Sequence, residues 1–310
     1  LDLGFKQDLD IIVNQSPEDK RILMFSATIP KKILVLASKY QRNAVRVEAT
    51  SLGKAHTDIS YETYMIKKHD IENAIFNFLR FHDDKTIIIF CSTRNSVTHI
   101  SSRILNRGFS VVSLSGALNQ SERFKALQSI KNGRCKICVA TDVAARGIDL
   151  VNLDIVIHAE LPQNSEILIH RSGRTGRAGN KGRSILFCSP GERRRYERLV
   201  HSAKVRPVIN KFLSQEEIEH KDNEKIINYL SKSKKKSSGE LKLANELLTQ
   251  FSSEDIAVAL IENFKGKLPP IEEVESFSEE KVNLIKSDRK KKKRGEKRNR
   301  GPSSRKKQRP

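Results

Sequence analysis

The segment KTIIIFCSTR, residues 85–94, indicates the fold class, because a short and continuously apolar run leads directly into polar residues. Such a run is typical of a strand that is buried on both faces of a parallel sheet. Further runs of this character occupy residues 22–25, 111–114, 137–140, 155–157 and 184–187. Between them lie patterns with helical periodicity, at residues 70–81, 95–107, 120–131 and 165–171. The alternation predicts βαβ units and an α/β fold with a parallel sheet.

Composition and the absence of long apolar runs restrict the class of protein. Hydrophobic residues make up 37% of the 310 residues and charged residues 31%, which allows a packed core beside a solvated remainder. No run approaches the roughly 18 apolar residues that cross a bilayer, and the N-terminus has no signal-peptide pattern. We therefore expect a cytoplasmic protein without a membrane partner.

The charge distribution favours a polyanionic partner. The net charge is +21, and residues 289–310 hold thirteen Lys and Arg against the single acid Glu296, which leaves +9 for the rest. Each phosphate that Lys or Arg neutralises releases condensed counterions, so a basic excess of this size favours nucleic acid. A solubilising tail and a nuclear-import signal are the alternatives for 289–310.

Cys135 and Cys138 spell C-x-x-C, the spacing of half a zinc site. No second C-x-x-C and no H-x-H stands elsewhere in the sequence. In a strand, a spacing of three places the two sulfurs on opposite faces. Core packing is therefore the better interpretation of these cysteines, and we expect no metal site in the chain.

The pattern changes after residue 203. Residues 205–212 look extended, and SQEE at 214–217 fits a capping box that opens a helix. Two adjacent amphipathic patterns within 240–264 are too short to bury a core alone, so we expect them to pack on a second copy as a homodimer. From residue 286 the composition is that of a disordered basic tail.

Polar residues follow the predicted strands at their carboxyl ends, where ligands of open α/β sheets bind. Thr93, Gly116 and Thr141 offer a phosphodiester backbone hydroxyl groups, close approach and amides near helix N-termini. Arg94 and Arg123 add positive charge. No aromatic residue stands at these loop tips, so we expect contacts to phosphate and sugar, with weak sequence preference. A set of ordinary βα loops is the alternative.

Residues 170–179, HRSGRTGRAG, hold three arginines separated by small residues. A segment that starts helical would place Arg174 and Arg177 on one face, three apart, free to converge on one anion. Guanidinium groups are always charged and fork onto phosphate oxygens, which suits them to stabilising charge in phosphoryl transfer. An exposed Arg/Gly patch for nucleic acid is the alternative, and the position behind a strand and a helix favours a nucleotide.

Taken in order, these segments resemble the motifs of DEAD-box RNA helicases of superfamily 2. The match covers residues 1–203, and LDLGF at 1–5 is similar to the residues that follow the family's Asp-Glu-Ala-Asp box. Motifs III, IV, IVa, V and VI are matched by residues 26–28 (SAT), 89–94, 115–123, 139–149 (VATDVAARGID) and 170–179. The resemblance implies the C-terminal part of such a helicase. Its fold would be a RecA-like parallel sheet flanked by helices, followed by a small α-helical region and a disordered tail.

The resemblance also implies roles for the matching residues. Arg174 and Arg177 would be arginine fingers on the γ-phosphate of ATP, with His170 as the third catalytic residue. Asp149 and Gly147 would bind ATP, Asp149 at the ribose. RNA would be held by Thr93, Arg94, Gly116, Gln120, Arg123 and Thr141. The residues that would couple the nucleotide to RNA are Ser26, Thr28, Asp142 and Arg146.

Some features depart from the family pattern. Ala117 stands where many relatives carry Asp, and Ser172 where many carry a branched apolar residue. The 310 residues contain no G-x-x-x-x-G-K-S/T loop, no adenine-reading Gln segment and no Asp-Glu-Ala-Asp box. We therefore expect a fragment that does not hydrolyse ATP alone, with Mg²⁺ and most of the ATP held by a missing N-terminal part.

The expected organisation has five segments: the remnant of a first RecA-like domain, a linker, a second RecA-like domain, a helical extension with possible dimer contacts, and the basic tail. Their predicted bounds are 1–48, 49–57, 58–204, 205–285 and 286–310.

For the full-length parent, the resemblance implies an RNA-stimulated ATPase that locally unwinds RNA duplexes. The C-terminal arrangement is similar to that of bacterial cold-shock and ribosome-assembly members, so a ribosomal precursor or an RNA-degradation complex is the expected partner. A non-catalytic RNA-binding or annealing protein and a superfamily 2 DNA helicase are the alternatives. The combination of ARGID at 145–149 with HRSGRTGR favours RNA.

Overall fold

The chain folds as two compact units, Leu1–Lys54 and Ala55–Pro310. The structure is a computed structural model that describes residues 6–25, 31–41, 43–47, 58–145, 153–177, 179–232 and 237–277. The division between the units falls within residues 49–57, and the finer segment bounds stay a prediction.

The described part of the first unit contains two helices, α1 (Lys6–Gln15) and α2 (Lys31–Tyr40). Asp10 of α1 joins them, because its carboxylate accepts hydrogen bonds from Lys39 Nζ at 2.6 Å and from the Tyr40 hydroxyl. The predicted strand at residues 22–25 is wrong: these residues form no strand, and Phe25 is 91% exposed. A strand needs a neighbour for its backbone hydrogen bonds, and the described residues of this unit offer none.

The second unit is built on a seven-stranded sheet in which every pair of strands is parallel. Its order along the sheet is β3-β4-β2-β5-β6-β1-β7. The strands are β1 (Ile59–Met65), β2 (Ile87–Cys91), β3 (Val111–Leu114), β4 (Ile137–Thr141), β5 (Ile155–His158), β6 (Gly182–Cys188) and β7 (Val208–Asn210). The predicted α/β class with a parallel, helix-flanked sheet is confirmed.

Helices cover both faces of this sheet. The covering helices are α3 (Ile71–Phe81), α4 (Arg94–Asn106), α5 (Gln120–Lys131), α6 (Asp142–Ala145), α7 (Ser165–Ser172) and α8 (Arg193–Ala203). They are followed along the chain by α9 (Gln215–Lys232), α10 (Ser238–Gln250) and α11 (Ser253–Lys265). Right-handed crossovers place α3 and α4 on one face and α5 to α8 on the other, because the former connect strands leftward in the sheet order and the latter rightward. In β2, Ile87 and Ile89 pack under α3 and α4, whereas Ile88 and Phe90 face the other layer.

Strand β1 has no counterpart among the sequence predictions, because its sequence ISYETYM contains a charge and no continuous apolar run. The charge is paired: Glu62 accepts hydrogen bonds from Arg183 of β6, with Nε–Oε1 at 2.7 Å and Nη2–Oε2 at 2.9 Å. Burial would raise the pKa of Glu62, but the Arg183 guanidinium outweighs it and the pKa is lowered. A carboxylate can therefore lie inside a central strand.

Residues that follow β7 along the chain pack against α3. Helix α9 begins with the predicted capping box, in which Ser214 N donates to Glu217 at 2.7 Å and Glu217 N to Ser214 Oγ at 3.2 Å. Asp222 of α9 binds the buried Arg80 of α3 at 2.7 Å. The chain then returns along α3, where Asn77 exchanges two hydrogen bonds with the backbone of Glu272, at 2.8 and 2.9 Å. It then lies beside β1, where Phe277 N donates to the Met65 carbonyl at 2.8 Å.

Helices α10 and α11 match the predicted amphipathic pair but contain no buried residue. Both begin with capping boxes, which stabilise them locally without a core. Large apolar side chains on them are about half exposed, among them Leu243, Leu247, Phe251, Val258 and Ile261. Phe264 of α11 contacts the ring of Tyr229 of α9, with centroids 4.9 Å apart, but the apolar side chains named above stay exposed in the described part of the chain.

Candidate nucleic-acid and nucleotide interface

The loop after β2 is organised by Thr93, which caps α4. Its Oγ1 accepts a hydrogen bond from Ser96 N at 3.0 Å, and its hydroxyl lies 2.9 Å from Ser96 Oγ. Arg94 is the first residue of α4 and is exposed. The positive end of a helix dipole and a cation therefore stand together at the carboxyl end of β2.

The loop after β3 lies against Arg94. A Cβ built on Gly116 would be 3.0 Å from Arg94 Nη2, so the guanidinium rests on the bare backbone of this glycine. Gln120 opens α5 directly after Asn119, whose side chain accepts from Glu122 N at 2.9 Å in a capping box. The N-terminus of α5 therefore lies at the same edge of the sheet as the N-terminus of α4.

The third loop begins at Thr141, the last residue of β4, which is nearly buried. Its Oγ1 accepts from Ala144 N at 3.4 Å, and Arg123 of α5 donates from Nη2 to the Ala144 carbonyl at 2.8 Å. The structure therefore brings the predicted RNA-binding residues together at the adjacent carboxyl ends of β3, β4 and β2: Thr93, Arg94, Gly116, Gln120, Arg123 and Thr141.

The arginine segment departs from the expected helical geometry. Helix α7 ends at Ser172, and Arg174 and Arg177 stand in the turns that follow, so the prediction of a shared helical face is wrong. Gly176 has a φ of +66°, a left-handed conformation that favours glycine and ends any helical continuation. Arg177 Nε donates to the Gly173 carbonyl at 2.9 Å, which folds this arginine back across the turn.

This turn is locked against the amino ends of three strands. The buried Thr175 donates its hydroxyl to the carbonyls of Leu153 and Asp154, just before β5. A Cβ on Gly182, the first residue of β6, would lie 2.3 Å from Thr175 Oγ1. A Cβ on Gly176 would lie 2.7 Å from Cγ1 of Ile59, the first residue of β1. Arg174 and Arg177 therefore flank a turn, Thr175–Gly176, that packs closely against the sheet.

The arginine turn and the RNA-binding group consequently lie at opposite ends of the sheet's strands. The four residues of β5 alone separate these levels by about 10–13 Å, at roughly 3.3 Å per residue. Sequence periodicity could not reveal this, because it shows which residues follow a strand but not how far the next helix travels back along it.

Asp142 and Arg171 connect the carboxyl ends of the strands to the arginine segment. Next to them lies a buried series of hydrogen-bonded polar side chains. Ser172 donates to the Leu168 carbonyl at 2.7 Å and lies 2.9 Å from Ser184 Oγ, which lies 3.1 Å from Nε2 of His158. Burial lowers the pKa of His158 well below the usual range, so its ring is neutral. Ser172, the variant position of the segment, thus has hydrogen-bond partners in the sheet.

Five of the predicted site residues lie outside the described part of the chain, and a sixth, His170, lies within it. Ser26, Thr28, Arg146, Gly147 and Asp149 lie outside the described residues. His170 is exposed on α7, one residue before the buried Arg171.

Cys135 and Cys138 are both buried, and burial raises the pKa of each thiol. Within the described ranges, no three His, Cys, Asp or Glu side chains are grouped closely enough to hold a metal ion. None of the described helices combines the length and apolarity that a membrane span requires.

Comparison with known proteins shows that the second unit is similar in sequence to helicases. Residues 67–179 match the helicase conserved C-terminal domain. The chain is 33% identical over 194 residues to the ATP-dependent RNA helicase DbpA of Bacillus subtilis, covering 63% of this chain and 40% of that protein. It is 36% identical over 196 residues to DeaD of Buchnera aphidicola (63% and 32%), and 34% over 204 residues to RhpA of Helicobacter pylori (66% and 41%).

The chain thus spans about a third to two fifths of the length of these relatives. Among solved structures, S. cerevisiae Dbp5 bound to RNA and ADP BeF3 superposes with a TM-score of 0.63 at 23% identity, over 70% of this chain and 58% of that one. At this identity the likeness extends to the fold.

Proposed function

Since the chain belongs to the DEAD-box RNA helicases and corresponds to their C-terminal part, we propose that it binds RNA and completes the ATP site of an ATP-dependent RNA helicase. The observation that carries the proposal is the contiguous group of hydroxyl, amide and guanidinium donors at the carboxyl ends of β3, β4 and β2. The relatives are named RNA helicases, which favours RNA over DNA as the nucleic acid.

The RNA contact is to the backbone of the strand. Arg94 and the N-termini of α4 and α5 supply charge and unpaired amides to phosphate oxygens. Gly116 lets the strand approach the protein backbone, and Thr93 and Thr141 add hydroxyl groups. These contacts do not distinguish one base from another, because they all reach phosphate and sugar.

The nucleotide contact is made by the arginine turn. Arg174 and Arg177 fit a terminal phosphate, because guanidinium groups fork onto its oxygens and the locked turn fixes their backbone. His170 lies on the same segment, and Asp149 and Gly147 are assigned to the nucleotide by resemblance. ATP supplies the phosphoryl group whose cleavage drives the cycle. The described residues contain no cluster of acidic side chains that would hold Mg²⁺.

The cycle we propose is RNA-stimulated ATP hydrolysis coupled to local unwinding of RNA duplexes, with a ribosomal precursor or an RNA-degradation complex as the setting. Asp142 and Arg146, with Ser26 and Thr28, would relay between nucleotide and RNA. A non-catalytic RNA-binding protein is the second candidate, for which the donors at the carboxyl ends of β3, β4 and β2 would suffice.

RNA binding is tested with a fluorescent single-stranded RNA in an anisotropy titration. Arg94→Ala should weaken binding about tenfold and reduce the slope of log affinity against log salt by about 0.7, since one phosphate contact is lost. Arg134→Ala, an exposed arginine in the loop before β4 at the amino end, is the matched control and should change neither quantity. Equal effects from both variants would contradict the assignment.

ATP hydrolysis is tested in two proteins. The 310 residues alone, mixed with ATP, Mg²⁺ and duplex RNA, should show no turnover, and measurable turnover would refute that expectation. In a protein that joins these residues to an ATP-binding domain, Arg174→Ala or Arg177→Ala should lower the rate about 10³-fold or more while RNA binding persists. Turnover that survives both variants would make the arginine assignment wrong.

The homodimer is a further part of the proposal. The exposed apolar side chains of α10 and α11 would be buried by the same surface of a second copy, as an isologous contact requires. Light scattering should give a dimer mass, and Leu243→Lys with Leu247→Lys should give a monomer. A monomer mass for the unchanged chain at tens of micromolar would rule the dimer out.

A further inference from the structure

A groove opens on the carboxyl edge of the sheet between the first turns of α3 and α4. It exists because β5 and β6 send their connections to the opposite face, so no helix covers their tips on the face of α3 and α4. Such points, where neighbouring connections diverge, are where open α/β sheets bind ligands. The groove encloses about 400 Å³, within the roughly 300–1,000 Å³ typical of small-molecule pockets.

The groove combines an apolar floor with a polar rim. Ile75 of α3, Ile100 of α4 and Phe187 of β6 form part of the floor. The rim carries Glu160, which follows β5, and Lys68, which precedes α3. Both are exposed, and in the described part of the chain neither has a hydrogen-bond or ion-pair partner. Two polar groups of opposite charge are therefore available to a ligand.

The other acids of the rim are already engaged. Glu72 lies 3.0 Å from Nε2 of His99 and 3.3 Å from Nε of Arg103. Glu192 accepts from Ser189 Oγ at 2.8 Å. These carboxylates still disfavour a phosphate inside the groove, because a second anion would be repelled. An uncharged or cationic group is therefore favoured over an anionic one, and the apolar floor suits a flat ring.

The groove continues the surface assigned to RNA. Along the carboxyl edge the tips of β3, β4 and β2 are followed directly by those of β5 and β6. Asn95 and Ser96 line the groove and lie in the first turn of α4, next to Thr93 and Arg94. A strand whose phosphates rest on that turn can place its neighbouring base over the groove while its charge stays outside.

We propose that this groove accepts one unpaired guanine of the RNA strand held at Thr93 and Arg94. The Glu160 carboxylate accepts from guanine N1–H and from its 2-amino group, and Lys68 Nζ donates to O6. Guanine is the base whose pairing edge presents two neighbouring donors beside an acceptor, which matches one free carboxylate and one free ammonium. The apolar floor contacts the ring.

This inference rests on the proposed RNA binding and adds a base preference that backbone contacts do not give. The test uses the full 310-residue chain and fluorescent ten-nucleotide RNAs: an all-uridine strand, and strands with a single guanine at each position in turn. We expect one position at which guanine tightens binding about tenfold, the discrimination typical of a bidentate base contact. Inosine at that position, which lacks the 2-amino group, should lose most of the gain.

The variant Glu160→Gln should abolish the guanine gain and leave the affinity for the all-uridine strand unchanged. Glu166→Gln, an exposed carboxylate in the first turn of α7, is the matched control and should keep the gain. Because Glu160 is exposed and unpartnered, the variant is expected to fold, and its circular dichroism should equal that of the unchanged chain.

The outcomes separate the two levels of the proposal. Failure of the all-uridine strand to bind would refute the RNA-binding function itself. Binding without a guanine-dependent position, or a guanine gain that survives Glu160→Gln, would overturn the groove assignment alone. If Glu160→Gln instead weakens a short Lys-rich peptide while the guanine gain persists, the groove is a peptide site and the proposal is wrong.

Discussion

Arg171 and Asp142 form a forked ion pair, with Nε–Oδ1 at 2.6 Å and Nη2–Oδ2 at 2.7 Å. The Arg171 side chain is 3% exposed and lies 5.2 Å from the centre of the Phe90 ring, whereas Asp142 is 31% exposed. The pair ties the last turn of α7 to the start of α6, one residue after Thr141. It is therefore a direct connection between the arginine segment and the carboxyl edge of β4.

Removing the acid of this pair should destabilise the second unit. Asp142→Asn leaves the Arg171 charge buried without a carboxylate, which we expect to lower the free energy of unfolding by about 2–4 kcal/mol, discounted for the partial exposure of Asp142. Arg171→Met, which removes the buried charge and keeps the volume, should cost less than Asp142→Asn. Urea unfolding measures both, and a larger loss for Arg171→Met would contradict this account.

Gly182→Ala should loosen the arginine turn. The new methyl group would meet Thr175 Oγ1 at 2.3 Å and Gly176 N at 2.5 Å, and backbone cannot yield as a side chain tip can. We expect the free energy of unfolding to fall by about 1–3 kcal/mol. Gly239→Ala, where a Cβ meets nothing within 4 Å, is the control and should be neutral or slightly stabilising. Equal thermal midpoints for both variants would mean that the turn is not locked.

Because of the His82 imidazole, the free energy of unfolding should decrease as the pH is lowered. Burial, together with the charges of Arg183 and Lys221, lowers the pKa of His82 to about 4, and Arg183 Nη1 lies 3.4 Å from its Nε2. Between about pH 6.5 and about pH 4, His82 is protonated in the unfolded chain but not in the folded chain. The free energy of unfolding therefore decreases as pH drops through this window, by about 2–3 kcal/mol.

The matched variant for this pH dependence is His82→Phe, which keeps the ring that packs on Phe78. His158 is also neutral when folded and acts with the same sign, so the quantity to measure is the difference between the two proteins. Urea unfolding at a series of pH values should show a flatter profile for the variant between about 6.5 and about 4. Parallel profiles would show that His82 does not titrate as described.

Deleting residues 289–310 should weaken RNA binding and flatten its salt dependence. This segment carries thirteen Lys and Arg against one Glu, and each cation that contacts single-stranded RNA adds about 0.7 to the slope of log affinity against log salt. The control replaces the segment with a Gly/Ser tail of the same length. An unchanged slope in both proteins would leave solubility as the only role of the tail.

The sequence predicts the buried centre of the sheet well, because burial on both faces demands continuous apolar runs. The run at 155–157 is extended only by His158 in β5, and that at 137–140 only by Thr141 in β4. Strand β1 could not be found in this way, since its Glu62 depends on a partner 121 residues away. The run at 22–25 shows the converse, because apolar character alone does not provide a neighbouring strand.

The candidate site was predictable in its residue types and only partly in its geometry. Loops after adjacent parallel strands must meet at one edge, so Thr93, Gly116 and Thr141 could be grouped from the sequence. The turn at Arg174 could not be derived, because its shape depends on tertiary contacts of Thr175 and Gly182. The groove beside Glu160 was not visible either, since it follows from the direction of two crossovers.

The arginine turn and the RNA-binding group lie at opposite ends of the same strands, so the sheet fixes the distance between them. Strands buried on both faces do not stretch, so the spacing between the two groups stays constant while ligands come and go. A partner surface that contacts both groups therefore binds only certain orientations of the whole sheet. We expect ligand binding at one end to change the affinity at the other end by rotating the sheet as a rigid body, without rearrangement of the loops.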